Sequence, residues 1–150
     1  MIPVVLAIGA AFATALIHVA GLLVLLYWQT RQWPKIEADF GPHRNLPAFL
    51  ILFGGIFGLH LIEIGLWAGL YFWGEGLPDL ETSLYFSGTT YTTLGIGDVV
   101  LPQAWRMAAV LESLTGVLMM GWSTAFFFTT VIRLLELRIR RWQQLEDPDG

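Results

Sequence analysis

The chain has 150 residues, of which 55% are apolar and 13% are charged, and its formal net charge is −4. This composition, together with a positive mean hydropathy, excludes an ordinary soluble domain of this length. The absence of cysteine excludes a disulfide framework and a thiolate metal site. We therefore interpret the chain as a membrane protein and consider its segments in order.

Three nearly uncharged apolar runs cover residues 4–28, 49–73 and 105–131. Each run is longer than the ~20 residues that a helix needs to cross ~30 Å of hydrocarbon, so the pattern predicts three membrane-spanning helices. The first run has no basic start and is about twice as long as the apolar part of an ordinary signal peptide. We interpret it as a span, with a cleaved signal peptide as the alternative.

Basic residues lie mainly on one side of these runs. Those between the first two runs are Arg31, Lys35 and Arg44, and those after the third are Arg133, Arg138, Arg140 and Arg141. Because Lys and Arg collect in short cytoplasmic loops, this pattern predicts a cell-membrane protein with its N-terminus outside and its C-terminus in the cytoplasm. The segment 29–47 is predicted to be an interfacial linker that contacts lipid and not nucleic acid.

The segment 74–102 is too polar and too broken to be a fourth span. Pro78 and Asp79 suit the first turn of a helix, and apolar residues continue over 80–91, which is ~18 Å at 1.5 Å per residue. That length crosses half a membrane. The Thr- and Gly-rich run that follows must return to the surface as a re-entrant loop, which is tolerated only where the backbone lines a cavity or is buried in protein. The segment therefore predicts a water-filled pathway.

The stretch TTLGIGD at 92–98 resembles the T-T-V-G-Y-G-D selectivity-filter signature of potassium channels. A helix of pore-helix length precedes it, and Gly116 and Gly121 lie in the third span, where inner helices of this family often place flexible glycines. The resemblance covers about 49–133. It implies an all-α membrane protein with three transmembrane helices plus a re-entrant pore helix and filter loop per subunit, assembled as a homotetrameric pore.

The filter motif has a physical explanation. Backbone carbonyls can replace the hydration shell of K⁺ if successive carbonyls point to one axis. Alternating right- and left-handed backbone conformations achieve this, and Gly95 and Gly97 adopt the left-handed ones without a Cβ penalty. We expect K⁺ ions, and no other cofactor, at the carbonyls of Thr93, Leu94, Gly95 and Ile96, with the Thr93 hydroxyl closing the innermost site.

Ile96 is the main departure from the family pattern, because most family filters have tyrosine there. Isoleucine cannot make the polar tether to the aromatic cuff of the pore helix, so only an apolar contact is expected. The predicted filter support and outer mouth are Asp98, Thr92, Thr89, Tyr85 and Phe86. Thr89 stands where some members have an acidic residue. We predict a potassium-selective channel, with a nonselective Na⁺/K⁺ channel and a non-conducting subunit as alternatives.

Ionisable residues inside the spans are functional hypotheses, since burying charge in a membrane is costly. Glu112, with Gly116 and Gly121, is a gating candidate: it is either a hydrogen-bonded acid that contacts Thr or Tyr of the pore helix, or a cavity acid that modulates conductance. His60 and Glu63 share a helix face and are expected to pair with each other or with the pore helix.

Other roles for these residues are disfavoured by the sequence. Two ligands, His60 and Glu63, are too few for a metal site. His18 is expected to be a satisfied packing residue. An enzyme built on His60, Glu63 and Glu112 would leave the filter motif unexplained, so we predict no enzymatic activity.

The predicted organisation has three parts. Residues 1–48 contain the extra N-terminal helix and the basic linker, and residues 136–150 form a cytoplasmic tail that continues the third span as a helix. The pore domain spans 49–135, divided into an outer helix at 49–73, a pore helix at 79–92, the filter at 93–98 and an inner helix at 104–135. One filter segment cannot enclose an ion, so a homotetramer is expected.

Overall fold

The structure is a computed structural model that describes residues 1–38 and 42–146 and contains no strand in these ranges. Its helices are α1 (Ile2–Ala38), α2 (Pro42–Trp73), α3 (Leu80–Tyr91), a short 3₁₀ helix (Gln103–Trp105) and α4 (Arg106–Glu146). The stretches that are long and apolar enough to cross a membrane are Ile2–Arg31, Leu46–Trp73 and Gln103–Leu137. The predicted all-helical membrane fold with three spans is confirmed.

The helices extend beyond the apolar runs. The stretch 29–47, predicted as a linker, is helical up to Ala38 and again from Pro42, and 39–41 lie outside the described residues. Likewise α4 continues through the predicted tail to Glu146, and 147–150 are outside the described residues. Hydropathy identifies the part of a helix that lies in hydrocarbon, whereas the backbone hydrogen bonds of a helix can continue past that part.

Both ends of α3 are capped. Asp79 accepts hydrogen bonds from the Thr82 backbone N–H and hydroxyl, each at 2.8 Å. These bonds, and the one from the backbone most strongly, stabilise the ionised carboxylate and lower the pKa of Asp79. At the other end, the Thr92 hydroxyl donates to the Gly88 carbonyl at 2.7 Å. The helix therefore begins and ends within one residue of the predicted bounds 79–92.

The N-terminal helix α1 is an integral part of the packing. It contacts both α2 and α4, and α3 also packs against these two helices. Gly21 of α1 receives the side chain of Leu59, and Gly55 of α2 receives the side chain of Leu25, at distances where a Cβ would overlap the leucine. Small residues at both positions allow the two helices to approach closely.

The middle of α3 rests on an aromatic core. The fully buried Tyr71 ring of α2 meets Phe86 of α3 edge-on at 5.3 Å between centroids, and it meets Trp105 at 6.0 Å. Edge-on contacts of this kind add to the energy of burying the rings. This core fixes the position of α3 against α2 and against the start of α4.

Candidate functional site

The loop after α3 alternates in backbone handedness. The φ angles of Thr93, Gly95 and Gly97 are 60°, 54° and 84°, whereas those of Leu94 and Ile96 are not positive. Glycine adopts this conformation freely, but a β-branched residue does so at a cost of about 1–3 kcal/mol. Sequence reasoning identified the two glycines and missed Thr93, because nothing in the sequence marks a threonine as left-handed.

Backbone hydrogen bonds tie the loop to the end of α3. The Gly95 N–H donates to the Thr89 carbonyl and the Thr93 N–H donates to the Thr90 carbonyl, each at 3.0 Å. The Thr89 hydroxyl instead donates to the Phe86 carbonyl at 3.0 Å. Thr89 therefore holds the loop through its main chain, at a position where sequence reasoning considered only its side chain.

A polar tether joins α3 to the outer end of the loop. The Tyr85 hydroxyl donates to Asp98 Oδ2 at 2.9 Å, and the Val99 N–H donates to Asp98 Oδ1 at 3.0 Å. Only an apolar contact was expected here, because the tether was sought at Ile96. The structure has the tether two residues later, while Phe86 packs on Tyr71 of α2.

The apolar side chains of the loop are uncovered within one chain. Leu94 is 67% exposed and Ile96 is 57% exposed. An apolar contact with α3 was expected for Ile96, and in the single chain this side chain does not become buried there. Leu94 and Ile96 are thus available for contacts outside the chain.

The two glycines proposed for gating have different surroundings. At Gly116 an added Cβ would overlap the carbonyl oxygen of Tyr91, the last residue of α3, whereas at Gly121 nothing lies within 4 Å. Ser113, one turn earlier, donates to the Thr90 carbonyl at 3.0 Å. The end of α3 therefore sits directly on α4 at Gly116, and the hinge hypothesis for both glycines remains a prediction.

Glu112 of α4 is fully buried and contacts α2 and α3. The Tyr71 hydroxyl donates to Oε2 at 2.7 Å, and Ser87 Oγ lies 2.5 Å from Oε1 and 2.9 Å from the Ile64 carbonyl. Ser87 has one hydroxyl proton for these two acceptors, and a carbonyl can only accept, so both contacts are hydrogen bonds at once when Ser87 donates to Ile64 and a protonated Glu112 donates to Ser87. Both contacts are satisfied when Glu112 is protonated. The expected pore-helix partner was Thr or Tyr, and the residue found is Ser87.

Glu63 of α2 is fully buried at the centre of a second cluster. His18 Nδ1 lies 2.8 Å from Oε1, His60 Nδ1 lies 3.2 Å from Oε2, and the Tyr91 hydroxyl donates to Oε2. Both histidines also reach Ser123 Oγ with Nε2, at 3.3 Å for His18 and 3.1 Å for His60. The predicted pairing of His60 with Glu63 is present. His18, expected as a satisfied packing residue, is hydrogen-bonded through both ring nitrogens.

Three long apolar helices, with a capped short helix and a loop of alternating handedness between the last two, define an all-helical membrane protein. The profile of a family described as "Ion channel" matches residues 48–133, and the chain belongs to that family. It is accordingly a passive ion channel. The match covers α2 from Ala48 onward, α3 and most of α4, and it leaves α1 outside. Comparison with curated proteins and with solved structures gave no match.

Proposed function

We propose that the chain forms a homotetrameric potassium-selective channel in which four copies of the loop 93–98 surround one conduction path. The observation that carries this proposal is the positive φ at Thr93, Gly95 and Gly97, alternating with Leu94 and Ile96. This alternation lets successive carbonyls of one strand converge, so that they can replace the hydration shell of K⁺.

Several features of the single chain support a tetramer. It carries one filter loop, which cannot surround an ion alone, and Leu94 and Ile96 of that loop lack cover within the chain. Four copies of α3 ending at Tyr91 would direct the negative ends of their helix dipoles toward the axis, which favours a cation there. Acidic residues beyond the spans would attract cations to the outer mouth; these are Glu75, Asp79, Glu81 and Asp98.

Selectivity for K⁺ over Na⁺ is the finer part of the proposal. The Tyr85–Asp98 hydrogen bond supports it, because it fixes the outer end of the loop to α3 without a tyrosine at position 96. Ile96, 57% exposed, favours the alternative of a nonselective Na⁺/K⁺ channel, since its side chain cannot donate or accept a hydrogen bond. In either case the N-terminus is proposed to lie outside the cell and the C-terminus in the cytoplasm.

The test is the reversal potential of the purified protein in planar bilayers with K⁺ on one side and Na⁺ on the other. A value near the K⁺ equilibrium potential is expected. A value near zero that follows the total concentration of monovalent cations would instead support a nonselective Na⁺/K⁺ channel.

A variant pair ties the current to the loop. We expect Gly95→Ala to abolish the current, because alanine is strained at φ 54°. Gly9→Ala is the matched control, because it changes a helical glycine of α1 that has nothing within 4 Å. Gel filtration checks that both variants assemble. Equal currents from assembled Gly95→Ala and wild type would contradict the assignment of the loop.

A further inference from the structure

A polar cluster around Glu63 joins α1, α2, α3 and α4 inside the apolar part of the protein. His18 comes from α1, His60 and Glu63 from α2, Tyr91 from α3 and Ser123 from α4. All are buried except His60, whose side chain is 16% exposed. Polar groups at this depth are costly and mark a function with nameable partners. The filter loop needs none of these side chains to bind an ion, so the cluster requires its own explanation.

With neutral histidines, the hydrogen bonds of this cluster need one proton more than its side chains supply. A Glu63 carboxylate only accepts hydrogen bonds, so both histidines must carry their proton on Nδ1. In neutral histidines, both Nε2 atoms are then acceptors. Ser123 faces both of them at 3.1 and 3.3 Å but has a single hydroxyl proton to donate. One of these contacts remains unsatisfied unless the cluster takes up another cation.

The donor atoms are spaced as the ligands of a metal ion are. One nitrogen of each histidine and a carboxylate oxygen of Glu63 lie within 4.8 Å of one another. His18 Nδ1 lies 2.8 Å from Oε1 of Glu63 and His60 Nδ1 lies 3.2 Å from Oε2, so each histidine faces its own carboxylate oxygen at a distance close to the ~3.3 Å edge of a tetrahedron with ~2.0 Å ligand bonds. The Tyr91 oxygen, 3.2 Å from His60 Nδ1 and hydrogen-bonded to Glu63, supplies a fourth corner.

A metal ion at Nδ1 of both histidines would also resolve the proton count. Each ring then carries its proton on Nε2, and both Nε2–H groups can donate to the two lone pairs of Ser123 Oγ. Histidines that bind metal almost always donate their other nitrogen in this way. The Glu63 carboxylate offsets one of the two charges of a divalent ion, which suits a site surrounded by apolar residues.

We propose that His18, His60 and Glu63, with the Tyr91 oxygen as fourth ligand, form an intramembrane binding site for Zn²⁺ or a similar divalent transition metal. Two histidines and a glutamate are an established zinc ligand set. The ion fastens α1 to Tyr91, the last residue of α3, two residues before the left-handed Thr93. The site thereby links α1, which the family match does not cover, to the end of α3 that precedes the filter loop. The proposal does not depend on which ion the channel conducts.

Metal content is the direct test. The full chain, purified in detergent, is equilibrated with zinc sulfate and separated from free metal by gel filtration, and bound zinc is counted by mass spectrometry. We expect about one zinc per chain, and background levels for His18→Asn and Glu63→Gln. His43→Asn, which removes the third histidine of the chain, is the matched control and is expected to retain the metal.

Two further measurements remain informative if His18→Asn or Glu63→Gln fails to fold. Co²⁺ bound to wild-type protein should give the intense visible absorption of four-coordinate cobalt, which needs no variant. Ser123→Ala removes only the group that orients the histidines, so it should weaken zinc binding about 10- to 100-fold in a chelator competition.

Two results would overturn the proposal. One is assembled wild-type protein without zinc, in which case a proton supplies the missing charge of the cluster. The other is equal zinc in wild type and in assembled His18→Asn, which means adventitious binding elsewhere. Neither result bears on the reversal potential, so failure of the metal site and failure of the proposed function remain distinguishable.

Discussion

Glu63 and Glu112 are both fully buried carboxyl groups within apolar spans, and both contact α3, yet their neighbours differ in kind. The contacts of Glu112 are the hydroxyls of Tyr71 and Ser87, neither of which can carry a positive charge, and a proton on Glu112 lets Ser87 bond to Glu112 and to Ile64 at once. Glu63 instead receives hydrogen bonds from Tyr91 and from two histidines. The donors around each acid, and not its depth in the apolar part of the protein, therefore favour a neutral Glu112 and a charged Glu63.

The difference has energetic consequences. A buried anion is tolerated only when its partners replace the lost hydration, and removing one member of such a set leaves the others uncompensated. A neutral acid that makes two hydrogen bonds has much less to lose. The predictions that follow concern metal-free protein, kept so with a chelator, and run from the largest expected effect to the smallest.

Replacing each acid by its amide tests the comparison most directly. Glu63→Gln should lower the free energy of unfolding by about 3–5 kcal/mol, because one amide oxygen cannot serve the three donors that face Glu63. Glu112→Gln should change it by less than about 1 kcal/mol, since the amide can donate to Ser87 and accept from Tyr71 as the protonated acid does. The measurement is chemical unfolding in micelles followed by circular dichroism. Equal losses for the two variants would mean that Glu112 is charged as well.

Removing one tyrosine hydroxyl from each cluster sharpens the same contrast. Tyr91→Phe deletes a hydrogen bond to a charged acceptor and should cost about 1.5–3 kcal/mol. Tyr71→Phe deletes one to a neutral acid and should cost about 0.5–1.5 kcal/mol. Both rings are fully buried, so lost packing does not separate the two variants. The same unfolding measurement compares the two variants. A larger loss for Tyr71→Phe than for Tyr91→Phe would mean that Glu112, and not Glu63, is the charged acid.

Gly116 of α4 faces the carbonyl of Tyr91, a member of the Glu63 cluster that lies two residues before the filter loop. Substitutions at Gly116 and Gly121 therefore test whether this contact affects the loop. Gly116→Ala forces α4 away from the Tyr91 carbonyl, so it should cost about 1–3 kcal/mol and alter ion preference in flux assays. Gly121→Ala, with open space around it, should be neutral or stabilising by up to about 1 kcal/mol. If Gly116→Ala changes only opening and leaves ion preference intact, Gly116 is a hinge and not a contact that positions α3.

The exposed acid Asp79 at the start of α3 should have the smallest effect, and one that depends on pH. Its pKa is lowered in the folded protein, so its stabilisation is present above the unfolded pKa of about 3.9 and is lost as the pH falls through the folded value. The thermal midpoint of wild type should exceed that of Asp79→Ala at neutral pH and approach it below about pH 4. Glu81→Ala removes a carboxylate of the same turn without removing the cap. An Asp79→Ala deficit that persists at low pH would contradict a charged cap.

The parts of the fold and site that the sequence predicts are local ones. The spans follow from apolar length, the start of α3 follows from Pro78 and Asp79, and the handedness of Gly95 and Gly97 follows from the absence of a Cβ. The pairing of His60 with Glu63 also follows, because residues three apart share a helix face.

The parts that the sequence does not predict join distant positions. His18 and Glu63 are 45 residues apart, and one sequence does not indicate which face of α1 turns toward α2. Tyr85 and Asp98 were each assigned to the filter support, but the tether between them was not predicted because it was expected at Ile96. The positive φ of Thr93 depends on the hydrogen bonds that hold the loop to α3, and a threonine in the sequence does not indicate a left-handed conformation.

The position of α1 between α2 and α4 limits how this channel can be shortened. Deleting residues 1–38 would remove the His18 partner of Glu63 and the Thr14 hydroxyl that accepts from Trp67 Nε1 at 3.1 Å, and it would expose Gly55 where Leu25 now packs. A minimal two-helix pore cut from this chain would therefore leave Glu63 with two of its three donors and without the cover of α1. We therefore expect truncation to need a companion change at Glu63, and the smallest self-sufficient unit to be larger than the segment 48–133 that the family match defines.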